Sequence, residues 1–282
     1  MRDVWRRFEQ NRMAMAGAVI VVVFLLVTLF ASWLAPHDPT RQDLLLRLAG
    51  PSPPHPLGHD GFGRDVLSRL IVGARLSFGM AFFAVLLAFS VGTPLGLVAG
   101  YVGGLVDTVV MRLTDILMTF PGMLLALVFV AVLGVGATNV TIAIGVATVP
   151  IFVRMVRGSV LVVKHLEFVQ SARALGARAA RIMGRHVLPN IVGPIVILAT
   201  LRMATAILTA AALSFIGLGV QPPAPEWGAM LAEGKAYLRV APHVVVFPGI
   251  TIMVVVLAFN LMGDGLRDAL DPSTTIEGRT DS

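Results

Sequence analysis

The sequence predicts an all-α, polytopic membrane protein with six transmembrane helices. Three observations predict it. Of 282 residues, 56% are hydrophobic and 13% charged, whereas a soluble domain carries about 25% charged residues. Six apolar runs recur, at about 16–34, 78–102, 113–133, 140–156, 191–216 and 244–262, near the length of about 20 residues that crosses a hydrocarbon core. The Lys and Arg residues cluster between those runs, which marks membrane orientation rather than nucleic-acid binding, although the net charge is +6. The chain has no cysteine, which excludes a disulfide framework and thiol chemistry.

Residues 1–15 set Arg2, Arg6, Arg7 and Arg12 against Asp3 and Glu9. The run 16–34 follows, 19 residues long. Signal-peptide apolar cores run roughly 7–15 residues, so an uncleaved anchor with its basic end in the cytoplasm is expected. Residues 35–65 hold Pro36, Pro39, Pro51, Pro53, Pro54 and Pro56, a density that no regular element survives. His55 and His59 are four apart, a metal-binding spacing on a helix. Among these prolines they read as loop residues, and no metal ligand is assigned.

With the N-terminus inside, the inner segments carry fourteen basic residues: Arg2, Arg6, Arg7, Arg12, Arg112, Arg154, Arg157, Lys164, Arg173, Arg178, Arg181, Arg185, Arg267 and Arg279. The outer ones carry seven, Arg41, Arg47, Arg64, Arg69, Arg75, Lys235 and Arg239. This bias places both termini in the cytoplasm. In the second span Gly92, Gly96 and Gly100 recur every fourth residue, one face on which another helix approaches closely. Pro94 and Pro121 are expected to kink their helices. Arg112 and Asp115 are three apart and within reach of a structural ion pair.

Between the fourth and fifth spans lies EFVQSARALGARAARIMGRHVLP, residues 167–189. Phe168, Ala172, Leu175, Ala179, Ile182 and Met183 fall at helical spacing. Gly176 interrupts them, so two short helices with a bend are expected, and Pro189 opens the next run where its missing N–H costs nothing. Arg202 lies thirteen residues beyond Pro189, about 20 Å along a helix and so near the bilayer centre. An arginine there costs at least roughly 2.5–3.5 kcal/mol. It must face water, a carboxylate or carbonyls; a translocation path and a buried subunit interface both satisfy that. Residues 217–243 return to polarity, with Pro222, Pro223 and Pro225 ahead of a short amphipathic helix at about 226–237.

Catalytic chemistry has no residues to stand on. The only lysines, Lys164 and Lys235, follow no glycine-rich turn, so no phosphate loop is present. No nucleophile triad or paired carboxylates are readable, and the six histidines are scattered. A secondary transporter not driven by ATP is the alternative, but it needs acids or histidines within the membrane.

Several motifs carry a family resemblance. Residues 167–189 resemble the loop that membrane subunits of ABC importers present to their ATPase, with Gln170, Ser171 and Ala172 at the Glu-Ala-Ala positions, Gly176 at the glycine, His186 at the isoleucine and Leu188-Pro189 at the close. The acid and the isoleucine depart from the pattern. HPLGHDGFGRDVLSRLIVGARLS at 55–77, ALSFIGLGVQPPAPEWGAML from residue 212 and GDGLRDALDP at 263–272 resemble permease subunits of the dipeptide, oligopeptide and nickel branch. Ala210 and Ala211 stand where relatives commonly carry a glutamate. The resemblance implies the type I ABC importer transmembrane fold: an anchor and outer segment at 1–70, a core at 71–266 with a coupling loop at 160–189, and a cytoplasmic tail at 267–282. It implies ATPase coupling through Gln170, Ser171, Ala172, Arg173, Leu175, Gly176 and Arg178. Arg202, Met203, Leu213 and Phe215 are candidates for the path, and Gln221, Glu226 and Trp227 for docking a binding protein. Implied partners are a homologous second permease subunit, two ATPase subunits or domains, an extracytoplasmic substrate-binding protein and membrane lipid, but no nucleic acid. ATP and Mg are expected on the ATPases, with no cofactor in this chain. The cargo class spans peptides, glutathione, nickel chelates and haem.

Overall fold

The computed structural model describes residues 2–270. They contain twelve α-helices and no strand. Residues 271–282, most of the expected tail and the last two residues of the GDGLRDALDP motif, lie outside the described residues.

A short α1 (Arg2–Gln10) leads into α2 (Arg12–Leu29), whose N-terminus is capped by the Asn11 side chain accepting from the Ala14 amide. The helix bends at Phe30 into α3 (Ala31–Leu34), so the anchor starts and ends close to its expected limits. The proline-rich segment that follows is irregular, apart from a 3₁₀ turn at Leu44–Leu46 and two isolated bridges.

Helix α4 (Val66–Val102) is 37 residues long, about 55 Å at 1.5 Å per residue, so it outruns a hydrocarbon core of about 30 Å. It begins twelve residues before the expected span because Asp65 caps it, accepting from the Ser68 amide and hydroxyl. It runs unbroken through Pro94. Pro121 has the larger effect. Instead of one kinked span at 113–133, α5 (Gly104–Met118) and α6 (Gly122–Leu133) meet at about 90°. Phe120, which precedes the proline, is biased away from helical backbone. Helix α7 (Ala137–Val163) is followed by the short pair α8 (Glu167–Ala174) and α9 (Ala179–Ile182). A π-helical turn at Met183–Val187 leads into α10 (Leu188–Phe215), then come α11 (Trp227–Gly234) and α12 (His243–Leu270). Five helices are long and apolar enough to cross a membrane, or six if the bent α5–α6 pair is one span.

The most extensive helix pair is α4 with α7, flanked by α10, with α12 packed on α10 and α2 laid along α12. The glycine face explains the first contact. A Cβ at Gly92 would meet the Phe152 Cβ at 2.5 Å, one at Gly96 the Val153 carbonyl oxygen at 2.6 Å, and one at Gly100 the Val160 Cβ at 2.9 Å. Lipid supplies no hydrophobic drive between helices, so close backbone approach is what holds them. Phe78, Phe152, Ile207 and Trp227 fill the interior. Leu25, Phe83, Leu113, Val132 and Leu257 remain exposed on the spans, a surface made for lipid or a partner subunit.

Substituting Gly96→Val should destabilise the detergent-solubilised protein by about 1–3 kcal/mol, the usual cost of overpacking. Gly79→Ala, where an added Cβ meets nothing within 4 Å, should be neutral or stabilising by up to about 1 kcal/mol. Thermal unfolding followed by loss of the monodisperse chromatographic peak distinguishes the two.

Candidate functional site

The bend expected at Gly176 is a helix stop of the Schellman type. Gly176 has φ +78°, its amide donates to the Arg173 carbonyl at 3.0 Å, and the Ala177 amide donates to the Ala172 carbonyl at 3.1 Å. Arg178 then turns the chain into α9, accepting from the Ile182 amide. The outcome is a rigid two-helix turn at the end of the bundle where α4 finishes and α10 begins.

Three contacts fix that turn to the spans. Lys164 Nζ donates to the Gly100 carbonyl at 2.9 Å. The Arg173 guanidinium sits 5.5 Å from the centre of the Tyr101 ring, a cation–π contact. Val169, Ile182 and Val187 are buried in the main core. Gln170 Nε2 donates to the His165 carbonyl, closing the entry to α8.

The expected apolar stripe is therefore only half right. Ile182 is buried and Ala172 and Met183 are half-buried, but Phe168, Leu175 and Ala179 face outward, and the buried residue of α8 is Val169, outside the expected stripe. Leu175 is 89% exposed at the tip of the turn. Ser171, Arg173, Gly176 and Arg178 are exposed around it. The turn thus presents one apolar knob within a basic rim.

The acidic residues near this end are paired, but not as spacing suggested. Asp115 pairs with Arg154 of α7 rather than with Arg112. Asp107 accepts a bond from Arg157 Nη2 at 2.6 Å. Helix α5 carries its carboxylates toward α7, so the partner lies across the packing and not one turn along.

The structure scatters the four path candidates. Arg202 is half-buried in α10, and its Nε is buried with no hydrogen-bond partner among the described residues. Met203, with Phe82, Phe89 and Phe259, lines an apolar groove between α4, α10 and α12 of about 270 Å³. Leu213 is fully buried, which removes it as a lining residue in this conformation. Phe215 is exposed at the far end of α10, with Lys235 Nζ 5.3 Å from its ring centre.

The docking candidates also divide. Gln221 is exposed. Glu226 and Trp227 are buried, which corrects their assignment as surface contacts. Glu226 caps α11, accepting from the Gly228 and Ala229 amides at 3.0 and 2.8 Å, and accepts from the Ser77 hydroxyl of α4. Trp227 donates from Nε1 to the Leu70 carbonyl and packs edge-on against Phe24 and Phe78. Helix α11 is less amphipathic than expected because it plugs the bundle between α4, α10 and α12.

Sequence reasoning missed a charged cluster at the end of the bundle that carries α11. Arg64 and Arg69 are buried, and both reach Asp60 and Glu233, with Arg64 Nε to Asp60 at 2.7 Å and Arg69 Nη2 to Glu233 at 3.2 Å. The spacing of four between Asp60 and Arg64 was the available signal; Glu233, far away in sequence, gave none.

Comparison with known proteins agrees with this geometry. The family model described as "Binding-protein-dependent transport system inner membrane component" matches residues 92–276, and "N-terminal TM domain of oligopeptide transport permease C" matches residues 1–51. The "Glutathione transport system permease protein GsiD" of Escherichia coli O6:K15:H31 is 50% identical over 96% of this chain and 89% of its own length. The protein of that name from Pectobacterium atrosepticum is 47% identical over 96% and 90%. A solved inward-facing form of the MetNI methionine ABC transporter aligns with a TM-score of 0.57 at 19% identity, over 72% of this chain and 97% of that one.

Replacing Gly176 with valine forces a branched side chain into left-handed backbone, at about 1–2 kcal/mol. Open space surrounds the site, so the cost is one of backbone alone. Hydrogen exchange at residues 171–178 should quicken several-fold while exchange in α4 and α7 stays unchanged.

Proposed function

This chain belongs to the inner membrane components of binding-protein-dependent transport systems, as a permease subunit of an ABC importer of the peptide and nickel type, and on that premise we propose how it couples and what it carries. The family sets aside an ATP-independent transporter, and its relatives are transport permeases rather than enzymes. Such a permease is a multi-pass inner-membrane protein that works with an ATPase, a binding protein and a second permease.

The proposed coupling element is the α8–α9 turn, and the exposed Leu175 carries the proposal. An 89% exposed leucine at the tip of a rigid, basic turn has no role in water or in the chain's own core; in a cleft of an ATPase it is an anchor of the apolar-centre, polar-rim kind. Both termini and this turn lie in the cytoplasm, where the basic residues concentrate. ATP and Mg bind the ATPases, two subunits or domains, and this chain needs no cofactor. When the ATPases close on ATP, the turn moves as a body. Its contacts at Gly100 and Tyr101 pass that shift to α4 and α7, exchanging an inward opening for an outward one. The core at 71–266 and a second, homologous permease form the path.

The proposed cargo is a small anionic peptide of the glutathione kind, as the names of the curated relatives suggest. Arg202 supports it from this chain: a half-buried guanidinium with an unpartnered Nε suits a carboxylate arriving from the path. Gln221 is the docking contact for the extracytoplasmic binding protein.

A cysteine introduced at Ser171 would be the only thiol in the chain. In the assembled complex it should cross-link to a cysteine in the ATPase cleft; failure across the whole cleft removes the coupling assignment. In vesicles holding the full complex and ATP, Arg202→Ala should lower glutathione uptake at least about tenfold, since losing one partner of a desolvated charge pair costs roughly 2–5 kcal/mol. Uptake at the parent rate and affinity takes Arg202 out of the path.

A further inference from the structure

The proline-rich loop and the start of α4 enclose a polar cavity of about 220 Å³, at the opposite end of the bundle from the α8–α9 turn. His37, His55, His59 and Asp65 line it together with Asp38, Asp43 and Arg41. No step of the transport reading uses these residues.

Their geometry is unusual for a loop. His55 Nδ1 is 2.9 Å from Asp65 Oδ1, and His37 Nδ1 is 3.7 Å from Asp65 Oδ2. The ligand atoms of His37, His55 and Asp65 all lie within 4.8 Å of one another. A zinc ion with bonds of about 2.0–2.1 Å to imidazole nitrogen and carboxylate oxygen sets its tetrahedral ligands about 3.3 Å apart, and these two separations bracket that edge. One hydrogen bond would satisfy a single His–Asp pair, but here two imidazoles turn the same nitrogen toward one carboxylate.

A second observation is independent of that triad. His59 is 3% exposed, and its Nδ1 is buried without a hydrogen-bond partner. Its ring centre lies 4.1 Å from that of His55. An orphaned imidazole nitrogen in a buried wall is rare, and it leaves this wall of the cavity with polar capacity beside the triad. The carboxylate is also oriented as metal ligands are, since Ser68 donates to Asp65 from both its amide and its hydroxyl.

We propose that His37, His55 and Asp65 bind a divalent transition-metal ion. The donor set, imidazole nitrogens and one carboxylate without sulfur, selects an ion of zinc's class over calcium or magnesium, which take oxygen ligands. The ion joins three pieces of chain: the exit of the anchor helix at His37, the loop at His55, and the first residue before α4. It is a staple between the N-terminal segment and the core. The imidazoles bind such an ion in their neutral form.

The test uses the full chain in detergent, without a polyhistidine tag and stripped by chelator, titrated with Co²⁺ and then with Zn²⁺. Saturable binding of one equivalent should give the visible bands of low-symmetry Co²⁺, which Zn²⁺ erases, and Zn²⁺ should raise the thermal midpoint. His37→Ala and His55→Ala should each weaken binding by more than the roughly 10–100-fold that losing a mere outer-shell partner costs. His186→Ala, at the other end of the bundle, should leave it unchanged. Asp65 is kept because it caps α4. If His55→Ala fails to fold, His37→Ala decides, because its side chain is 39% exposed and its loss leaves the core intact. No saturable binding, binding unchanged in His37→Ala, or binding lost equally in His186→Ala overturns the site. None of these readouts depends on transport.

Discussion

The approach of α7 to the glycine face of α4 is the constraint on which the remaining structure depends. Each glycine admits a backbone or Cβ atom of α7 to a distance no side chain would allow. The contact is made of many small dispersion terms rather than of water exclusion, so it tolerates little change of shape. Its last member, Gly100, also offers its carbonyl to Lys164, the residue that ends α7. The same turn of α4 therefore closes the helix pair and anchors the segment leading into α8. On the proposed coupling, a push on α8 would reach the pair through the Lys164–Gly100 and Arg173–Tyr101 contacts, and Gly176 bends the chain by a hydrogen-bonded stop and not by slack.

The opposite end of the pair is held by charge. Arg64 and Arg69 lie beneath the loop, and both reach Asp60 and Glu233. Buried ion pairs add little net stability compared with apolar packing, but removing one partner strands the others at a cost of about 3–5 kcal/mol. Two arginines facing two acids form a closed, neutral set. It fixes the Pro-rich loop and α11 to the head of α4, while Trp227 and Glu226 plug the gap between α4 and its neighbours. The bundle is thus clamped by shape at one end and by charge at the other, with the apolar groove around Met203 between them.

Much of this was legible in the sequence because lipid leaves few options. Apolar length identified the spans, and the period of four in Gly92, Gly96 and Gly100 identified the packing face. Gly176 marked the bend because left-handed backbone has few other occupants. The failures share one cause. The Asp115 partner, the burial of Glu226 and Trp227, the closure of Leu213 and the Arg64–Glu233 bond all depend on which helices become neighbours, and a linear pattern carries no such information. Spacing along a helix suggested Arg112 for Asp115, but the cross-helix Arg154 took the contact. Phe168 and Leu175 show the same limit in reverse. Their periodicity matched a buried stripe, but the surface they complete is missing from the chain itself.

That missing surface bears on how the protein divides its labour. Cargo selection would require several convergent polar groups in the bundle, because a binding site fixes its ligand with a few placed donors and acceptors. The groove beside Met203 is almost wholly apolar, with Thr200 its one polar side chain, and the hydroxyl of Thr200 is already given to the Val196 carbonyl. Arg202 does not line this groove, and on the proposed path it would register a negative charge without distinguishing one carboxylate from another. A wall so apolar is permissive along its length. It would suit a subunit that passes on what another protein has chosen, and whose own specificity, on the proposed coupling, lies in the shape of the turn it offers to its ATPase.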